Sequence, residues 1–213
     1  MITTKGIEFS SRTMKIFETR QVSKEDQDTF AAILEKRMAS KQNDAAFLST
    51  LNEEEIDSLI AVHKFVELNI YGLSEEGMRN LLTPPGYEVD INKDGLYDIG
   101  KAKVFAFPGN DAPQEVLDAY ENMSMKERIT LFAGYLIQEI KANAYQDAQG
   151  HWRVRRHGEP GYVSILNQPN FSYAKLADLM LEELEFQKKF MSQQEYWDAL
   201  AVFEKFKLAS QRT

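Results

Sequence analysis

The chain has 213 residues, 43% hydrophobic, 11% aromatic and 27% charged, enough apolar material for a buried core under an ordinary charged surface. Its 25 Lys and Arg stand against 33 Asp and Glu, a formal net charge of −8, which argues against global attraction to nucleic acid or anionic lipid and leaves room only for a local basic patch. There is no cysteine, so disulfides, thiolate zinc sites and cysteine nucleophiles are excluded.

Residues 12–20 place Met14 and Ile16 at alternate positions and predict a strand. Explicit helix starts follow. Ser23, with Asp26 three residues on, opens a helix carrying Phe30, Ile33, Leu34, Arg37 and Met38. Asn52 with Glu55 opens another, where Ile56, Leu59, Ile60, His63, Val66 and Ile70 form the stripe. Ser74 caps a short helix that Pro84-Pro85-Gly86 stops.

Residues 87–107 read as extended chain, turn and extended chain, with an Asp-rich loop as the turn. A short helix is predicted near 113–122, and Ser124 with Glu127 opens a long one bearing Ile129, Phe132, Ala133, Leu136, Ile137 and Ile140 as its apolar stripe. Residues 145–166 suggest a β-hairpin or small meander, with turns at Asp147–Gly150 and Gly158–Gly161. Ser172 and Ser192 open the last two helices, the second carrying Tyr196, Trp197, Leu200, Phe203 and Phe206. The expected fold class is α+β, predominantly α-helical: a helical bundle-like core with two small β-hairpin insertions, forming one globular domain over residues 1–213.

Asp90-Ile91-Asn92-Lys93-Asp94-Gly95-Leu96-Tyr97-Asp98 is the segment with the most recognisable chemistry. Calcium takes six to eight oxygens at about 2.3–2.6 Å. In a tight loop Asp90, Asn92 and Asp94 would supply side-chain oxygens, Leu96 its carbonyl, and Asp98 a ligand directly or through water. Gly95 allows the sharp turn. The pattern resembles EF-hand-type loops, but Lys101 stands where an EF-hand has its closing Glu, and the flanks read as strands. It is more similar to the short calcium loops on the β-hairpins of integrin-type propellers, where the resemblance implies that the ninth-position Asp closes the site. The resemblance covers nine of 213 residues, and no whole-chain family is recognised. The implied ion is a structural Ca2+ held with a dissociation constant on the order of 10⁻⁴ M. The competing reading is a metal-free turn, since Asp and Asn bond their own backbone and Asp-Gly is a common turn pair.

His151-Trp152-Arg153-Val154-Arg155-Arg156-His157 is the second feature. In a strand, His151, Arg153, Arg155 and His157 would share one face and could bind an anion, while Trp152, Val154 and Arg156 share the other. The same charges would equally suit a solvated edge strand that resists aggregation, or a protein or self-association surface.

Other residues carry less. His63 with Glu67 has a metal-ligand spacing, yet a lone His on an apolar stripe suits a hydrogen-bonded core position. No phosphate-binding loop, dinucleotide fingerprint, nucleophile elbow or zinc-protease motif is present. The expectation is a soluble binding or assembly protein with a calcium-stabilised hairpin, a protein partner or self-association, and no membrane: no apolar run reaches the ~20 residues of a span. Met1–Phe9 lacks the features of a signal peptide, which makes the cytoplasm the expected location. The alternatives are a phosphate- or nucleic-acid-binding module built on residues 151–157 and a carboxylate-based hydrolase.

Overall fold

The helix starts marked in the sequence are where the helices begin. In the computed structural model, which describes residues 3–4, 6–64 and 72–211, the side chains of Ser23, Asn52, Ser74, Ser124, Ser172 and Ser192 each accept the amide three residues on. Such a cap satisfies an orphan N–H of the first turn and stabilises by about 1 kcal/mol. Asn52/Glu55, Ser124/Glu127 and Ser192/Glu195 form reciprocal capping boxes. The fold is predominantly helical α+β, with its strands confined to small antiparallel pairs. Among the described residues no helix is long and apolar enough to cross a membrane. Two compact units make up the chain, residues 1–92 with 96–106 and residues 93–95 with 107–213.

The first unit holds β1 (Thr3–Thr4), β2 (Ile7–Glu8), α1 (Ser11–Arg20), α2 (Lys24–Ala39), α3 (Asp44–Leu48), α4 (Glu53–His63), α5 (Glu75–Leu81), β3 (Leu96–Ile99) and β4 (Ala102–Phe105). The strand expected over residues 12–20 is instead helix α1. Ser10 caps it, and Thr13 and Phe17, four residues apart, are its buried pair, whereas Met14 and Ile16 are half-buried. A helical pair thus replaces the alternation. The short β1–β2 pair and helix α3 have no counterpart among the expected elements. Phe9, Phe17 and Phe30 form a ring cluster with centroids 5.2–6.5 Å apart. Helix α2 packs on α4; Phe30, Ile33 and Leu34 are buried on the first and Leu59 and Val62 on the second. Val66 and Ile70, expected to continue the α4 stripe, lie outside the described residues.

The Asp-rich loop is not the turn of a hairpin. The paired strands are β3 and β4, with Ile99 opposite Ala102, so the turn is Gly100-Lys101 and the Asp-rich segment leads into β3. Residues 87–89 are not a strand. A two-residue connection with Gly first, at φ +59°, matches the twist of paired strands.

The second unit holds α6 (Gln114–Glu121), α7 (Met125–Ala142), β5 (Ala144–Gln146), β6 (Trp152–Val154), α8 (Tyr173–Gln187) and α9 (Gln193–Ser210). Helices α7, α8 and α9 pack pairwise, with α6 against α9. Phe107 stacks on Tyr135 at 4.3 Å within a core that includes Leu131, Leu176, Met180, Phe203 and Phe206.

Helix α7 overturns its expected stripe. Its buried residues are Leu131, Gly134, Tyr135, Gln138 and Glu139, whereas Ile129 is 61% and Ile140 52% exposed, and Ala133 is exposed too. On α9, Tyr196, Phe203 and Phe206 are buried, whereas Trp197 is exposed.

Candidate functional site

The Asp-rich loop is organised by a residue that the sequence did not flag. Glu76, in the first turn of α5, is 3% exposed. Its Oε2 accepts the amides of Ile91 and Asn92 at 2.8 and 3.2 Å, and its Oε1 accepts the amide of Asp98 at 2.8 Å. Burial pushes its carboxyl above the usual carboxylate range and the charge of Asp98 adds to that, while the three N–H bonds pull the other way. Asn80, one turn further along α5, is fully buried. It donates to the carbonyls of Val89 and Asp98 at 2.9 and 2.8 Å and accepts the amide of Val89. Gly77 completes the contact: its carbonyl accepts the Gly100 amide, and a Cβ there would meet the Gly100 carbonyl oxygen at 2.3 Å.

The expected calcium ligands fall as follows. Asp90 and Asp94 are half-buried, Asn92 is exposed and Leu96 is buried in β3. Asp98 is buried, accepts from the Ser74 hydroxyl at 2.8 Å and pairs with Lys103. Lys93 and Gly95 take positive φ values of 59° and 83°, so the segment does wind tightly. Among the described residues no group of three or more His, Cys, Asp or Glu side chains is gathered as a metal site would require.

The cationic segment is strand only over Trp152–Val154, so the alternation expected to align His151, Arg153, Arg155 and His157 holds only in its middle. Their partners differ. Arg153 pairs with Asp147 at 3.0 Å, and His151 lies 3.7 Å from the same carboxylate. The Arg155 guanidinium lies 4.4 Å from the Tyr145 ring centre. His157 Nε2 and the Tyr162 hydroxyl are 2.7 Å apart. The opposite face, Trp152 and Val154, is open, with Trp152 71% exposed.

Tyr162 leads inward to a second buried carboxylate. Glu139 Oε1 accepts hydroxyls from Tyr135, Ser164 and Tyr162 at 2.9, 2.9 and 3.2 Å, and Oε2 accepts the Ile165 amide at 2.9 Å. Burial and the Glu139 charge push the Tyr135 phenol well above its ordinary range. Ser164 is itself buried and donates to the carboxylate, so this serine is a structural donor rather than an open nucleophile. Gly95 touches the same cluster: a Cβ would stand 2.4 Å from the Ser164 hydroxyl.

A groove of about 480 Å³ opens along α7, α8 and α9. Ile129, Ala133, Ile137, Met180, Leu184 and Phe203 make it apolar, and Phe190, 75% exposed, stands at its edge. Its charged lining residues are Lys126 against Glu183, Glu195 and Asp198. The signal for this groove is in the sequence, as the apolar residues of α7; three of them, Ile129, Ala133 and Ile137, line the groove.

His63 is fully buried on α4, with Nε2 3.1 Å from the Leu81 carbonyl oxygen and its ring edge-on to Phe30. Burial, then the nearby Arg20 charge, depresses its pKa to about 3. This is a neutral core histidine, and its Glu67 partner falls outside the described residues. Protein-family models, curated proteins and solved structures were all compared with this chain, and none matches it.

Proposed function

We propose that the protein is a binding protein that captures a protein partner in the groove between α7, α8 and α9. One observation carries the reading: α7 turns Ile129 and Ala133, both exposed, and the half-buried Ile137 toward the groove, while Leu131, Tyr135 and Glu139 are among its buried residues. An exposed apolar stripe with a charged rim is the surface expected of an interaction site. The rim sets the partner's chemistry. Lys126 pairs with Asp198 and Lys141 with Glu183, so the three carboxylates leave one net negative charge, and the groove favours a segment that inserts a bulky apolar side chain beside a basic residue.

Peptide selection on the immobilised protein, with Ala133→Trp as counter-target, tests this. Ala133 is exposed, so the substitution fills the groove without entering the core. Enriched peptides should carry an aromatic or large aliphatic anchor beside Lys or Arg and should lose binding to Ala133→Trp. No enrichment, or equal binding to both proteins, overturns the reading.

A second reading adds Ca2+ at the loop of Asp90, Asn92, Asp94, Leu96 and Asp98, and the tight winding at Lys93 and Gly95 supports it. Calcium would have to displace Lys103 from Asp98. Lys103→Met should therefore increase the rise in melting temperature produced by millimolar calcium; no rise in either protein sinks this reading.

A further inference from the structure

The groove has a candidate occupant within the same sequence. We propose that the β5–β6 hairpin of a second copy of this chain docks in the groove, with Trp152 as its anchor. This rests on the groove being a protein-binding site. The hairpin has the chemistry that the groove selects. Trp152 and Val154, two residues apart in β6, share one face of the hairpin and are both exposed. Basic residues surround them: segment 144–163 carries Arg153, Arg155 and Arg156 against Asp147 and Glu159. In a chain of net charge −8 that local excess of positive charge is opposite in sign to the groove, where Asp198 pairs with Lys126, Glu183 with Lys141, and Glu195 leaves one net negative charge.

The contact is heterologous: hairpin and groove are different surfaces of one molecule, so each copy offers one of each. Association of this kind closes into a ring or continues as a chain; it does not stop at a two-fold dimer unless geometry closes it. A tryptophan buries about 200 Å² and supplies the anchor. A hairpin in a groove sits at the low end of interface sizes, so self-association should be weak, with a dissociation constant on the order of 10 µM.

Sedimentation velocity on the full chain between about 1 and 300 µM tests the proposal, that range bracketing the expected constant. Mass should rise with concentration. Trp152→Ala should weaken association at least tenfold, and Ala133→Trp should do the same from the other side. Arg156→Glu, at an exposed position, should weaken it severalfold. The two crippled proteins form the decisive experiment. Trp152→Ala retains a groove and Ala133→Trp retains a hairpin, so mixing them should restore a one-to-one dimer and nothing larger. A wild-type chain that stays monomeric throughout overturns the proposal, as does a mixture that fails to pair. A monomeric chain that still enriches groove-dependent peptides keeps the binding site and removes only the self-partner. A monomeric chain that instead binds a single-stranded oligonucleotide through Trp152, with affinity falling steeply with salt, makes the hairpin a nucleic-acid contact and also overturns the proposal.

Discussion

The hairpins β3–β4 and β5–β6 are similar in plan and opposite in treatment. Each is two short antiparallel strands with a glycine-containing turn and charged side chains. All four residues of β3 are buried, and its backbone is tied to α5 through Glu76, Gly77 and Asn80. All three residues of β6 are exposed, and its ties are surface contacts such as Arg153 with Asp147 and Arg155 on Tyr145. An isolated two-stranded hairpin is marginal in water. The first meets that problem by inserting its polar groups among buried partners. The second leaves Trp152 and Val154 open, the face that the proposed self-association would cover.

Substitutions should widen this contrast. The largest effect is expected from Glu76→Ala, which strands the buried amide of Asp98 and loosens those of Ile91 and Asn92. It should cost about 3 kcal/mol, read as a lower urea midpoint. If the protein loses less than about 1 kcal/mol, the loop is held by something other than Glu76.

Acid should act on the buried polar groups of the first unit. The folded-state pKa of His63, about 3, lies below its ordinary value of 6.5, so the fold favours the neutral ring. Its stabilisation is complete above pH 6.5 and is lost as pH falls toward 3. At about pH 4.5 that is a loss of roughly 3 kcal/mol relative to neutral pH. His63→Met should flatten this acid limb in a pH series of denaturation curves; an unchanged limb assigns it to other groups.

Gly77→Ala should cost about 2 kcal/mol, because the new methyl meets a backbone oxygen that cannot rotate away. Wild-type stability in thermal melts of this variant would mean that α5 and the Gly100 turn separate readily. The smallest effect belongs to the open hairpin. Trp152→Ala should change monomer stability by less than about 0.5 kcal/mol while disrupting self-association. A large loss of stability at concentrations where the protein is monomeric would make Trp152 a structural residue and erase the contrast.

Information carried within a few residues was legible in the sequence. Each Ser or Asn cap bonds an amide three residues away, and the turn at Asp147–Gly150 closes on itself through Gly150 N to the Asp147 carbonyl. These local bonds placed the helix starts and one hairpin, and with them the predominantly helical α+β class. Alternation over residues 12–20 misled because a nine-residue window also holds the helical pair Thr13 and Phe17.

Tertiary structure decided which apolar stripe is covered and which charges are buried. Glu76 meets Asp98 across 22 residues and Glu139 meets Ser164 across 25. Neither pairing leaves a periodic mark, so each glutamate reads in sequence as one more surface carboxylate. The stripe of α7 was visible as a pattern, but a pattern states only that a face is apolar. Whether that face is filled depends on the side chains that α8 and α9 bring to it, and here they leave a groove.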